Sequence, residues 1–220
     1  MASGDICASW SQVASRGSLT RTPPWTALRR PDMKTPGIDA RFIRHMTGRQ
    51  DFAEVFFDNV QLAPDALIGE EGAGWAQVTA ELAFERSGPE RLYSSIVLFE
   101  EWLAYVRTPA GHTPAAQRLA GKIVTQLAPL RALSLAITEK LTRGESPVVE
   151  AALVKDLGTG VEQLIPYAIA DDLASRTDPN IPLELLHTLH YVTQVAPSYS
   201  LRGGTRDILR GMIARGLGLR

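Results

Sequence analysis

The sequence predicts a mainly α protein, an antiparallel four-helix bundle preceded by a short β segment. Apolar residues recur at three- and four-residue spacing through most of the chain after Gly74. One aromatic and β-branched run, 52–60, carries the clearest strand signal. Between them Pro64, Asp65, Gly69, Gly72 and Gly74 form a turn-rich connection, so the change of periodicity falls at a natural boundary.

In chain order, residues 1–31 show neither helical nor alternating periodicity and include a Thr22-Pro23-Pro24 step, so they are expected to be irregular or poorly ordered. Residues 40–44 are a short, ambiguous strand signal, and 52–60 a clear one whose exit begins at Asp58-Asn59. Trp75, Val78, Leu82 and Glu85, then Tyr93, Ile96, Leu98 and Trp102, fit one long helix that Gly88-Pro89 bends or divides. A second helix runs through Leu119, Ile123, Leu127, Leu130, Ile137 and Leu141, with a kink expected at Pro129 and a stop at Arg143-Gly144. A third passes Val154, Leu157, Val161 and Leu164 toward Leu173, with Pro166 as a further kink. Leu183 to Val192 and Ile208 to Ala214 give two more. The expected organisation is a non-matching segment 1–31, a β segment 32–72 and a helical bundle 73–220.

Composition narrows the function classes. The 220 residues are 45% hydrophobic and 21% charged, with a formal net charge of -1, the balance of an ordinary globular protein. Residues 1–50 hold eight Lys/Arg against three Asp/Glu, and 51–101 hold eleven carboxylates against Arg86 and Arg91. Without Lys-rich runs or interleaved aromatics, that asymmetry reads as solvated surface and not as a nucleic-acid arm. No apolar run is long enough to span a bilayer, and the N-terminus lacks the basic start and apolar core of a secretory signal. Cys7 is the only cysteine, which excludes an internal disulfide and any multi-cysteine metal site and suits a reducing cytoplasm.

Local chemical motifs are sparse. His187 and His190 lie three apart on a predicted helix, but no third ligand completes a metal site, and none is expected. Gly158-Thr159-Gly160 lacks the preceding strand and third glycine of a dinucleotide fingerprint and reads as a helix irregularity. There is no GxxxxGK[ST], GxSxG or HExxH.

Two passages say more. The first is Asp51-Phe52-Ala53-Glu54-Val55-Phe56-Phe57-Asp58-Asn59-Val60-Gln61-Leu62, followed by Leu67-Ile68-Gly69-Glu70-Glu71-Gly72-Ala73-Gly74-Trp75. The second is Arg202-Gly203-Gly204-Thr205-Arg206-Asp207-Ile208-Leu209-Arg210. With Met33-Lys34-Thr35-Pro36-Gly37-Ile38 upstream, they resemble, in order, the acyl-CoA dehydrogenase family over residues 32–220. The resemblance implies a FAD-dependent enzyme that oxidises an acyl-CoA thioester to the 2,3-enoyl-CoA. It also implies homo- or hetero-oligomers with dehydrogenase-type subunits, and an electron-transferring flavoprotein as redox partner. The chain is expected to hold the last part of the family's middle β domain and the whole C-terminal bundle, and so to be truncated. Its Gly-Gly-Thr ending resembles that of the hetero-oligomeric dehydrogenases of actinobacterial steroid breakdown, which implies docking with a full-length relative. A catalytically silent oligomerisation subunit or fragment of the same family is the alternative.

Such chemistry needs a carboxylate to accept the weakly acidic α-proton and donors on the thioester oxygen. Many family members carry the base as Glu in a terminal Glu-Gly-Thr, where this chain has Gly203. A subset carries it before an Arg on the first bundle helix, and Phe84-Glu85-Arg86 matches that pattern. The resemblance therefore implies Glu85 as base, Phe84, Arg86 and Gly204 along the substrate, and Thr205 and Asp207 beside the flavin. Read from the residues alone, Glu85 is equally a helix carboxylate paired with a nearby Arg, and Thr205 and Asp207 are a helix N-cap and first turn. The family's Trp-bearing flavin strand, its RxxFG passage and its QxxGGxG passage have no counterpart here.

Overall fold

The computed structural model describes residues 28–177 and 180–219. The expectations for residues 1–27, including Cys7 and the Thr22-Pro23-Pro24 step, lie outside the described residues. The chain divides into two compact units, Met1–Thr79 and Ala80–Arg220.

In the first unit, strand β1 (Leu28–Arg29) pairs antiparallel with β4 (Leu67–Ile68), and β2 (Ile38–Ile43) with β3 (Phe52–Phe57). The ambiguous run at 40–44 is thus a strand, and the 52–60 run ends at Phe57. Asn59 takes a positive φ of 47° just beyond it, a conformation that Asn tolerates better than most residues. The β2–β3 register sets Arg41 opposite Glu54 and Asp39 opposite Phe56, while the Arg41 guanidinium lies 4.6 Å from the Phe56 ring centroid. Gly37 (φ 91°) is required where the chain enters β2, because a side chain there would meet the Asp58 carbonyl.

The second unit is helical. Helix α1 (Gly74–Ser87) has its last turns here, and a 3₁₀ turn, Pro89–Arg91, follows it. Of the two outcomes expected at Gly88-Pro89, a bend or a division, the structure has the division: α2 (Ile96–Val106) is a separate element, because Pro89 supplies no N–H to continue the ladder. Helix α3 (Pro114–Thr142) starts at Thr113, whose hydroxyl accepts from the Ala116 amide at 3.0 Å, with Pro114 at the first helical position. It stops at Gly144 (φ 76°), where Glu145 N–H reaches Lys140 C=O and Gly144 N–H reaches Leu141 C=O, a Schellman ending. Helix α4 (Val148–Ala174), α5 (Leu183–Val195) and α6 (Arg206–Gly216) complete the unit. Pro129 and Pro166 lie inside α3 and α4, each a continuous element.

Trp102 is fully buried, stacked on Phe99, and its indole N–H donates to Asp172 at 2.9 Å. Around it pack Leu98, Ile123, Leu130, Ile165 and Ile169 from α2, α3 and α4. Burial of several such side chains, each contributing roughly 1.5–3 kcal/mol, is what holds the bundle. The fold is the mainly α bundle with a small β portion that the sequence predicts. Among the described residues no helix is long and apolar enough to cross a membrane.

Candidate functional site

Glu85 sits in the last turn of α1, half-buried. Arg91, brought back by the 3₁₀ turn, donates through Nη2 to Glu85 Oε1 at 2.5 Å and through Nε to the Glu85 carbonyl at 3.3 Å. The bond to the backbone carbonyl anchors the guanidinium, and the one to Oε1 directs the glutamate side chain toward it. Arg91 is itself placed by α4: Gly158 has no side chain, and a Cβ there would lie 2.7 Å from the Arg91 carbonyl. Gly158-Thr159-Gly160 is therefore a stretch of continuous helix against which the turn packs, a correction to its reading as an irregularity.

The neighbouring Arg86 points the other way, into the protein. It is 4% exposed, and its Nε donates to the Gly203 carbonyl at 2.8 Å. Burial lowers its pKa, opposed by the charge of Glu85. Gly203 (φ 65°) and Gly204 (φ 111°) form the turn that leads into α6, a conformation open to glycine and strained for other residues. A Cβ at Gly203 would lie 3.5 Å from Arg86 Cγ, 3.6 Å from Glu85 Oε1 and 3.7 Å from Lys155 Cε. The structure thus brings together Glu85, Arg86 and the Gly203-Gly204 turn. Phe84 is exposed and lines an open cleft of about 240 Å³ with Pro89, Thr138 and Leu141.

Sequence reasoning missed a buried charged cluster behind the turn. Lys155 and Glu162 of α4 are both fully buried. Glu162 accepts from the Ser94 amide at 2.9 Å and pairs with Arg202 at 3.3 Å, and Arg202 lies 4.4 Å over the Tyr199 ring. Lys155 donates to the Tyr199 carbonyl at 2.9 Å and to the Thr159 hydroxyl. Burial lowers the lysine pKa to about 8. A charged residue amid the apolar spacing of Val154, Leu157 and Val161 was the available signal.

Thr205 is the N-cap of α6 by backbone, but its side chain makes no capping hydrogen bond; Asp207 lies in the first turn. Both are exposed. Neither lines the cleft beside Phe84 or the one beside Arg30. Exposed and outside both clefts, Thr205 and Asp207 do not by themselves enclose a flavin. Among them, no group of three or more His, Cys, Asp or Glu side chains could hold a metal ion, and His187 and His190 gain no further ligand.

No family model matches the chain. It is 35% identical over 108 residues, 47% of its length, to the acyl-CoA dehydrogenase IpdE1 of Mycobacterium tuberculosis, covering 28% of that protein. It is 29% identical over 195 residues to acyl-CoA dehydrogenase IpdE1 of Mycolicibacterium smegmatis, covering 84% of this chain and 46% of that protein. The chain is related to the acyl-CoA dehydrogenases. Solved dehydrogenases share the fold: the Tcur3481-Tcur3483 steroid ACAD superposes with a TM-score of 0.74 at 20% identity, over 91% of this chain and 54% of that one. The acyl-CoA dehydrogenase from Geobacillus kaustophilus gives 0.72 at 23% identity, over 87% and 52%. Matches to these dehydrogenases extend over about half of their length or less.

Proposed function

We propose that the chain takes part in α,β-dehydrogenation of an acyl-CoA thioester to the 2,3-enoyl-CoA, with Glu85 as the base that removes the α-proton. The observation that carries this reading is the distance of 3.6 Å between Glu85 Oε1 and the point where a side chain at Gly203 would begin. In the family pattern the base stands at that turn, and here a carboxylate from α1 reaches the same place. The proton passes from the α-carbon to a Glu85 carboxylate oxygen, and the electron pair left behind spreads onto the thioester oxygen. The first amides of α6 lie just beyond Gly204, where a helix N-terminus favours such charge. Gly204 leaves room for a thioester to approach, Arg86 holds the turn through the Gly203 carbonyl, and Phe84 offers an apolar surface to the substrate.

FAD is the cofactor that the resemblance implies; when bound, it accepts the hydride from the β-carbon. The described residues do not enclose it, so Thr205 and Asp207 serve at most as one edge of a site whose other walls come from elsewhere. That favours function within an oligomer of dehydrogenase-type subunits in the cytoplasm, with an electron-transferring flavoprotein as acceptor. A catalytically silent subunit is the second reading, favoured by the Arg91 guanidinium that already occupies Glu85.

The test is 2,3-enoyl-CoA formation by the protein purified with a flavin-bearing dehydrogenase subunit, for wild type and Glu85→Gln. A loss of about a hundredfold or more with assembly intact supports the base. Equal rates would establish the silent subunit instead.

A further inference from the structure

Two consecutive residues of α4 hold the two flanks of the segment that carries Gly203 and Gly204. Lys155 grips the near side, through the Tyr199 carbonyl at 2.9 Å. Asp156 grips the far side, accepting from Arg206 Nε at 2.7 Å and Arg210 Nε at 3.3 Å. Neighbouring positions on a helix diverge by about 100°, which is what lets adjacent side chains reach opposite ends of one segment. Between them Arg86 holds the Gly203 carbonyl. The turn needs such anchors, because two successive glycines at positive φ bring no side chain of their own to fix it.

We propose that Lys155 and Asp156 are positioning residues that clamp the Gly203-Gly204 turn against Glu85, and so set where the thioester lies relative to the base. The catalytic half of this statement rests on Glu85 being the base; the clamp does not. A buried ammonium is costly, and an apolar side chain of similar length would fill the space without that cost. What it would not supply is the donor to the Tyr199 carbonyl. The charged groups facing Lys155 are Glu162 on its own helix, Arg202 on the clamped segment, Arg91 in the 3₁₀ turn and Glu85 on α1.

Hydrogen exchange of the backbone amides at 202–205, read by mass spectrometry on the full chain, tests the clamp without any cofactor. Lys155→Met should speed exchange there about tenfold, the effect of losing one hydrogen bond, while α2 and α5 stay unchanged. Should that variant fail to fold, the paired change Arg206→Gln and Arg210→Gln releases Asp156 from the more exposed side and should act likewise. Unchanged exchange at 202–205 in the variants overturns the clamp. In a flavin-bearing assembly, Lys155→Met should lower kcat about tenfold with KM within about twofold. If Glu85→Gln retains full activity while the clamp variants loosen the turn, the base reading fails and the positioning role is overturned with it.

Discussion

The Glu85 carboxylate and the missing side chain of Gly203 address one point from two elements, Oε1 lying 3.6 Å from where a Cβ at 203 would stand. The position is open, with no atom nearer than 3.5 Å, so the obstacle to a side chain is the backbone φ of 65°. Holding a non-glycine residue there costs about 1–2 kcal/mol. Gly203→Glu in a Glu85→Gln background should therefore fold with a Tm lower by a few degrees and recover part of the enoyl-CoA formation lost in Glu85→Gln. A double variant that is folded yet no more active than Glu85→Gln would separate the two positions chemically.

Two helical glycines should respond with opposite signs. Gly121 in α3 has nothing within 4 Å of its would-be Cβ, so Gly121→Ala should stabilise by about 0.5–1 kcal/mol through helix propensity alone. At Gly158 the same change drives a methyl to 2.7 Å from the Arg91 carbonyl, and overpacking of this kind costs roughly 1–3 kcal/mol. Denaturant titration of both variants checks the contrast. Stabilisation by Gly158→Ala would mean that the Pro89–Arg91 turn does not pack on α4 as described.

These glycines show what the sequence discloses and what it withholds. Spacing alone locates α3 and α4, because burying one face of a long helix imprints its period on the residues; Gly144 marks the end of α3 because a C-cap is local chemistry. The division at Gly88-Pro89 is visible for the same reason. The packing role of Gly158 is not, since it depends on Arg91, a residue brought near only by the tertiary fold. Lys155 and Glu162 are hidden similarly: a charged residue within an apolar stripe reads as an exception until Tyr199 and Arg202 are seen against it.

At the far end of the bundle, Asp172 pairs with Arg176 at 2.6 Å, both side chains 6% exposed, and accepts the Trp102 N–H. Arg176 also donates to the Gly111 carbonyl at 2.8 Å and lies over the Tyr105 ring. Asp172→Ala would leave the buried guanidinium without its counter-charge, held by the Gly111 carbonyl alone, and the indole N–H without its acceptor, a loss of about 3–5 kcal/mol. Thermal unfolding should show it as one of the larger single-site effects in the helical unit. A shift of only a degree or two would mean that water reaches the pair.

The buried lysine makes a further prediction about pH. Its pKa is about 8 in the folded protein against 10.5 for an ordinary lysine, because burial disfavours the ammonium. Below pH 8 both folded and unfolded chains carry the proton, and the full desolvation cost, on the order of 3 kcal/mol, weighs on the folded state. Between pH 8 and 10.5 the unfolded chain binds more protons than the folded one, so this residue's contribution to stability rises with pH. In Lys155→Met that rise should vanish, leaving the remaining groups to set the slope. Denaturant midpoints for both proteins from pH 6 to pH 10.5 measure the difference directly. Parallel curves would show that the lysine keeps an ordinary proton affinity and that its hydrogen bonds to Tyr199 and Thr159 offset the cost of burial.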